Sequence, residues 1–136
     1  MFRVALSALS LAMCVLSSAH AAAEIKVHGH RGARAMRPEN TLPAFEYAIE
    51  AGVDVLELDM AVTKDDVIVV SHDPLLSAPI CTGPRDHQPI HQLTLAQVRE
   101  YDCGGRQNPL FPRQQPVPGT KMPTLDEVFS MAQSSA

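Results

Sequence analysis

Three short polar groups stand where apolar, β-branched runs of this sequence end. They are His30-Arg31-Gly32, Glu57-Leu58-Asp59 and His72-Asp73. In a parallel β/α protein the ends of such runs meet at one rim of the sheet, which is where ligands bind. Two imidazoles, two carboxylates and a guanidinium at one rim indicate a metal-assisted attack on a phosphate ester.

The two carboxylates are candidate metal ligands. Glu57 and Asp59 lie two residues apart, so on a strand both side chains project from the same face. Neighbouring carboxylates repel each other, and burying either charge is costly without a counter-ion. A divalent cation that prefers oxygen ligands, Ca²⁺ or Mg²⁺, relieves both costs. The alternative is a solvent-exposed pair, but the strongly apolar run around them favours burial.

The two histidines are candidate acid and base groups. Cleavage of a phosphodiester needs a base for the attacking oxygen and an acid for the leaving one, and imidazole serves both roles near neutral pH. His30 and His72 each end an apolar run, and each precedes a charged residue. The charged neighbour of His72, Asp73, either orients the imidazole or caps the next turn.

The candidate phosphate ligand is Arg31. Its planar, permanently charged side chain matches the oxygens of a phosphate group. The alternative is an ion pair with Glu39 or another acid of the same loop. The segment Pro38-Glu39-Asn40-Thr41 is expected to fix this loop and to begin a helix, and Glu39 itself either orients Arg31 or approaches the metal.

The pattern of apolar residues predicts the elements that position these groups. It gives a first strand over 25–30, a helix that Asn40 or Thr41 caps and Gly52 ends, a second strand over 53–62 and a third over 67–70. The helix between the first two strands favours a parallel crossover. The turn before the third strand is short enough for an antiparallel pair, which is expected to place His72 away from Asp59 unless the third strand begins late or the connection bends. The sequence alone leaves the two orders open.

The second half of the chain is less regular. Residues 75–93 and 102–123 are expected to be loops, separated by a short helix over 95–101 that Thr94 caps. A capping box of Thr124 and Glu127 begins the last helix.

The amino terminus predicts export. Residues 1–23 combine a positive start, an apolar run and small residues, which is the layout of a cleaved signal peptide. Serines within the run disfavour a stable membrane anchor, and the bulky Met13 disfavours a lipid anchor at Cys14. We therefore expect a periplasmic or secreted protein. In such an oxidising compartment the remaining cysteines, Cys81 and Cys103, are expected to form a disulfide.

The charge of the mature chain limits its partners. Without residues 1–23 it has ten Lys and Arg against fifteen Asp and Glu, a net charge of −5. It has no basic stripe and few aromatic residues, which argues against nucleic-acid binding. The acidic balance suits a metal cation as partner. The oligomeric state is not indicated.

Taken together, these residues resemble the amino-terminal half of the glycerophosphodiester phosphodiesterase family. The resemblance rests on His30-Arg31-Gly32, Pro38 to Leu42, Ala44-Phe45, Gly52, Glu57-Leu58-Asp59, Thr63-Lys64-Asp65, His72-Asp73 and, less densely, Pro123 to Val128. It implies an α/β fold, a TIM-type (β/α)8 barrel, of which residues 24–136 hold only the first few β/α units, with the first strands in parallel order. It also implies hydrolysis of glycerophosphodiesters, which are small-molecule substrates, to glycerol 3-phosphate and an alcohol.

The resemblance assigns a role to each candidate residue. It implies that His30 and His72 are the acid/base pair, that Arg31 binds the phosphate, and that Glu57 and Asp59 are ligands of a divalent metal ion (Ca²⁺ or Mg²⁺). The family's third acidic ligand comes from a later strand. The implied chemistry is attack by the substrate's own glycerol hydroxyl, followed by hydrolysis of a cyclic phosphate.

The sequence alone leaves two other functions open. One is a related barrel phospholipase that acts on intact phospholipid, and the other is a non-catalytic barrel that only binds its ligand. The presence of all four acid/base and metal residues argues against the second. A barrel of this type needs about 250 residues, so the chain alone is expected to be an unstable, inactive portion of a longer protein.

Overall fold

The structure is a computed structural model that describes residues 24–135. The predicted signal peptide, residues 1–23, lies outside the described residues. The elements in chain order are β1 (His28–Gly29), α1 (Leu42–Glu50), β2 (Val55–Leu56), β3 (Met60–Val62), β4 (Ile68–Val70), β5 (Leu75–Leu76), β6 (Gln88–Pro89), a 3₁₀ helix (Ile90–Gln92), α2 (Leu95–Val98) and α3 (Leu125–Ser134). Within this part of the chain, no helix is long and apolar enough to cross a membrane.

The first two strands are parallel, as predicted. β1 pairs with β2 over two residues of each strand, and α1 connects them. Helix α1 begins after Thr41, which has an extended backbone, and it buries Phe45 and Ala48. Phe45 packs with Val70 of β4 and Val128 of α3 in one small core. Because parallel strands end at the same rim, the residues that follow β1 and β2 come together.

The predicted second strand, 53–62, is two separate strands in the structure. Three residues, 57–59, separate the end of β2 from the start of β3. In the gap, the backbone N–H of Glu57 donates to the carbonyl of Gly29 at 3.0 Å. The N–H of Asp59 donates to the side-chain oxygen of Asn40 at 3.5 Å. The first of these bonds continues the pairing of β2 with β1, whereas the second goes to the residue before the N-cap of α1, so the strand does not run unbroken into β3.

The parallel order that the resemblance implies is wrong for β3 and β4, which form an antiparallel hairpin. The turn between them is far too short for a parallel crossover. It is closed by the hydroxyl of Thr63, which donates to the carboxylate of Asp65 at 2.6 Å. Asp66 takes a left-handed φ of 61° in the same turn.

This hairpin brings His72 toward the carboxylates. Val70 lies opposite Met60, so the chain leaves β4 beside the start of β3. The N–H of Ser71 donates to the carbonyl of Asp59 at 3.0 Å. The expectation that antiparallel strands separate His72 from Asp59 is wrong, because Asp59 directly precedes β3 instead of lying near the end of one long second strand.

The second half of the chain has more structure than its pattern predicts. The expected loop over 75–93 contains the β5–β6 hairpin and the 3₁₀ helix. Helix α2 has the predicted Thr94 cap but ends at Val98, three residues early. Helix α3 begins with the predicted capping box of Thr124 and Glu127.

A disulfide joins the segment between β5 and β6 to the long loop that follows α2. Cys81 and Cys103 are linked, with an S–S distance of 2.07 Å, next to a backbone bridge between Thr82 and Asp102. Both cysteines are buried in a second core with Val69, Leu76, Ile90, Val98, Tyr101 and Met122. Residues 103–123 form neither helix nor strand, so contacts with this core and the disulfide hold that loop in place.

Candidate active site

The chain turns sharply after β1. Arg31 and Gly32 both take left-handed backbone conformations, with φ of 52° and 76°. Glycine is required at position 32, since a Cβ there would lie 2.7 Å from the backbone carbon of Ala44 in α1. The turn directs the backbone N–H of Arg31 to the Oε2 atom of Glu57, at 2.8 Å.

The side chain of Glu57, the residue after β2, contacts the two residues that follow β1. Its Oε2 atom accepts the N–H of Arg31 and lies 3.8 Å from Nε2 of His30. The side chain of His30 is 59% exposed, so one side of the imidazole is open to solvent. The structure thus places His30 and Glu57, which are 27 residues apart in the chain, side by side at one rim.

The guanidinium of Arg31 lies between two carboxylates. Its Nη1 donates to Oε1 of Glu39 at 2.6 Å, and its Nε lies 3.2 Å from Oδ2 of Asp59. The ion pair with Glu39, which was the alternative to phosphate binding, is therefore present. The remaining nitrogen, Nη2, has no partner among residues 24–135, so it is available to a phosphate oxygen. The side chain of Arg31 can therefore pair with Glu39 and bind a phosphate oxygen at the same time.

Asn40 belongs to the site, although its sequence position indicated only a helix cap. Its side chain donates from Nδ2 to Oδ2 of Asp59 at 3.0 Å, and its backbone N–H donates to the carbonyl of Arg31 at 3.0 Å. Thr41, not Asn40, occupies the N-cap position of α1, but its hydroxyl donates to the carbonyl of Pro38 and accepts no bond from the helix. No local pattern predicts a contact across 19 residues, but asparagine before a helix is one of the few residues that tolerates a left-handed backbone, and its φ is 56°.

His72 is oriented by its neighbour in the chain. Its Nδ1 lies 2.7 Å from Oδ1 of Asp73. With the proton on Nδ1, Asp73 is the acceptor and Nε2 is the nitrogen free to take a proton from a substrate. Of the two roles expected for Asp73, the structure contains the contact that orients the imidazole.

A small cavity connects His72 with the other residues of the site. Glu39 and Asn40 line it together with Ser71, His72, Asp73 and both disulfide cysteines. Its volume of about 10 Å³ has room for one water molecule and no more. The side chains of His30 and His72 are 59% and 48% exposed, so both imidazoles are open to solvent.

A sequence profile of the glycerophosphoryl diester phosphodiesterase family matches residues 30–136. The chain belongs to this family. Glycerophosphodiester phosphodiesterase of Caldanaerobacter subterraneus subsp. tengcongensis is 35% identical over 105 residues, covering 77% of this chain and 39% of the relative. Lysophospholipase D GDPD1 of Rattus norvegicus is 37% identical over 102 residues, covering 74% of this chain and 31% of the relative. The chain thus spans less than two-fifths of the length of either curated relative.

A solved structure gives the same assignment. A phosphodiesterase of Oleispira antarctica, determined in complex with the product sn-glycerol-3-phosphate, matches with a TM-score of 0.67 at 25% identity, covering 82% of this chain and 41% of that one. The predicted fold class is confirmed: this member of the family contains the first β/α units of a TIM-type barrel. The antiparallel β3–β4 hairpin is a local departure from the strict β/α alternation of such a barrel.

The carboxylates of Glu57 and Asp59 suit a hard divalent cation. Oε2 of Glu57 accepts the backbone N–H of Arg31, and Oδ2 of Asp59 lies beside the guanidinium. The second oxygen of each carboxylate accepts no hydrogen bond from the described residues. Mg²⁺ is commonly held by one or two carboxylates together with water and phosphate oxygens. Within residues 24–135 no group of three His, Cys, Asp or Glu side chains is placed to hold a metal, so Glu57 and Asp59 are candidate ligands only.

Proposed function

We propose that the mature protein, at its natural length, hydrolyses glycerophosphodiesters to glycerol 3-phosphate and an alcohol. The observation that carries the proposal is the chain of contacts from His30 through Glu57 and Arg31 to Asp59, in a member of the glycerophosphoryl diester phosphodiesterase family. The glycerol 3-phosphate bound as product by the Oleispira antarctica relative supports the substrate class.

The two histidines transfer the protons of the reaction. One imidazole takes the proton of the attacking hydroxyl as its oxygen forms a bond to phosphorus. The other gives a proton to the oxygen of the departing alcohol as its bond to phosphorus breaks. Water then attacks the cyclic phosphate, with the two proton-transfer roles exchanged, and breaks the new bond to give glycerol 3-phosphate. Asp73 holds the ring of His72 in one orientation through Nδ1, and the open side of His30 leaves its ring accessible to substrate.

Arg31 provides a fixed positive charge beside the phosphate. Its Nη1 is held by Glu39, which leaves Nη2 to donate to a phosphate oxygen. Glu57 and Asp59 would hold a divalent cation, Ca²⁺ or Mg²⁺, which would supply further positive charge for the phosphate group. The same charge would offset the repulsion between the two carboxylates.

The test separates proton transfer from metal binding. The mature protein of natural length is assayed on glycerophosphocholine and glycerophosphoethanolamine, with and without a chelator. His30→Ala and His72→Ala are expected to abolish turnover while metal uptake is retained, whereas Glu57→Ala loses metal first. His91→Ala is the matched control, because His91 is exposed on the 3₁₀ helix outside the site. Activity that survives both the chelator and His72→Ala would refute the mechanism.

A second candidate function is lysophospholipase D activity, which releases the head group of a lysophospholipid. It is favoured by one observation, the 37% identity to Lysophospholipase D GDPD1 of Rattus norvegicus. The same groups act on the same phosphodiester bond in either case, so only the rest of the substrate differs. Parallel kcat/KM measurements on lysophosphatidylcholine and glycerophosphocholine decide between the two functions.

Export to the periplasm or the medium is part of the proposal. It is supported by the signal-like sequence of residues 1–23 and by the use of a cysteine pair as a disulfide, since such bonds persist in oxidising compartments. Amino-terminal sequencing of the protein from its native cell is expected to begin within a few residues of Ala22. An intact Met1 would contradict export by this route.

A further inference from the structure

We infer that Asn40 is a positioning residue, which turns the Asp59 carboxylate so that its Oδ1 atom is presented to a divalent cation. The inference rests on the proposed function, because it concerns the metal site made by Glu57 and Asp59. It adds to that site a residue which is neither a ligand nor an acid or base.

The amide of Asn40 holds Asp59 by two contacts. Nδ2 donates to Oδ2 of the carboxylate at 3.0 Å, and Oδ1 of the amide accepts the backbone N–H of Asp59 at 3.5 Å. The guanidinium Nε of Arg31 lies 3.2 Å from the same Oδ2 atom. The hydrogen bond from Asn40, together with the charge of the guanidinium, orients the carboxylate and leaves Oδ1 of Asp59 for another ligand.

The amide has no alternative partner to turn to. Asn40 is 4% exposed, and a buried amide without hydrogen bonds is strongly disfavoured. Its own backbone is fixed by the N–H bond to the carbonyl of Arg31, at 3.0 Å. The side chain is therefore held in place by burial, by its backbone and by Asp59 itself.

The left-handed backbone at Asn40 gives two consecutive residues a role at the same site. Side chains of adjacent residues in an extended segment point to opposite sides, but here φ is 56°. As a result Glu39 contacts the guanidinium of Arg31 while Asn40 contacts the carboxylate of Asp59. Asparagine combines the required backbone with an amide, whereas glycine offers only the backbone.

The test replaces the amide without disturbing the backbone. Asn40→Gly keeps the left-handed conformation and removes both contacts with Asp59. The matched control is His87→Gly, which makes the same kind of change at an exposed residue with φ of 55° in a distant loop. Binding of Mg²⁺ and of Ca²⁺ alone to the mature protein of natural length is measured by calorimetry, with the melting temperature and kcat and KM recorded in parallel.

We expect Asn40→Gly to weaken metal binding by about 10- to 100-fold, the range typical for losing a partner that orients a ligand. His87→Gly is expected to bind as the wild type does. In an Asp59→Asn background the further loss caused by Asn40→Gly is expected to disappear, because the two residues act as one unit. A purely structural role would lower the melting temperature without this coupling.

Two results would overturn the inference. One is metal affinity of Asn40→Gly within twofold of the wild type. The other applies if Asn40→Gly does not fold: Asn40→Ser keeps an uncharged polar residue but removes the amide that reaches Asp59, so binding as tight as in the wild type refutes the role of that amide. A wild-type protein that binds no divalent ion would instead refute the metal site of the proposed function.

Discussion

Arg31 and Glu39 form the most buried ion pair among the described residues. Nη1 of Arg31 donates to Oε1 of Glu39 at 2.6 Å, with the two side chains 13% and 5% exposed. The other oxygen of Glu39 forms a longer ion pair with Nη2 of Arg34, at 3.7 Å, and accepts no hydrogen bond from the described part of the chain. The charge of Glu39 therefore depends mainly on Arg31.

Glu39→Gln is expected to lower the free energy of unfolding of the mature protein by about 2 kcal/mol. Removing one member of a buried ion pair costs about 3–5 kcal/mol, and the amide oxygen of glutamine, which still accepts from Arg31, offsets part of that loss. Urea denaturation measures the change. Glu46→Gln, at an exposed position of α1, is the matched control, and equal midpoints for the two variants would show that the pair contributes nothing to stability.

Asp73→Asn is expected to reduce kcat about tenfold with little change in KM. The carboxylate fixes the proton of His72 on Nδ1, and an amide that can also donate no longer selects that tautomer. The effect is smaller than for a buried pair, since both side chains are about half exposed. Asp86→Asn is the matched control, because Asp86 makes the same kind of contact with His87 at 2.9 Å outside the site. A similar loss in both variants would contradict a specific role for Asp73.

The sequence predicts the meeting of His30 and Glu57 because that meeting depends only on two parallel strands and one helix. Each of these elements has a clear apolar pattern, and parallel strands end at one rim. The sequence leaves the approach of His72 to Asp59 open, because the short turn allows an antiparallel third strand; in the structure the β3–β4 hairpin brings Ser71, the residue before His72, to Asp59. At the break between β2 and β3 the N–H of Asp59 donates to the side chain of Asn40, which lies 19 residues away in the chain.

The contacts of Asn40 and the short elements after Pro74 show where local patterns fail. Asn40 meets Asp59 only because the folded chain places the start of α1 beside β3, and a helix-cap preference contains no information about that contact. The β5–β6 hairpin has two residues in each strand, too few for a period to be recognised. Its position depends on the buried core and on the Cys81–Cys103 link.

Asp102 fixes the long loop after α2 through its charge. Its carboxylate accepts the N–H of Gly104 and of Gly119, each at 2.9 Å. Burial raises the pKa of Asp102, but the N–H groups of Gly119, Gly104 and Gly105 and the charge of Lys121 together lower it more. The pKa therefore lies below its ordinary value.

The low pKa of Asp102 predicts how its contribution varies with pH. A carboxylate with a lowered pKa stabilises the fold above the pKa of the unfolded chain, and this stabilisation is lost as the pH falls through the folded-state pKa. Asp102→Asn is expected to melt below the wild type at pH 7, and the gap is expected to narrow as the pH falls from about 5 to about 3. Melting curves of the mature protein across this range, with Asp86→Asn as the exposed control, measure it. A gap that does not change with pH would mean that the charge of Asp102 is not what holds the loop.

The Cys81–Cys103 disulfide is expected to contribute about 3 kcal/mol to the stability of the mature protein, since it restricts a stretch of 22 residues in the unfolded chain. Cys81→Ser/Cys103→Ser and the reduced wild type are expected to share the same lowered urea midpoint, while a reductant leaves the double variant unchanged. Because both cysteines line the cavity beside His72, kcat is expected to fall along with stability. If reductant does not change the urea midpoint of the wild type, burial of the loop, and not the disulfide, holds the cysteine side of the cavity next to His72 in place.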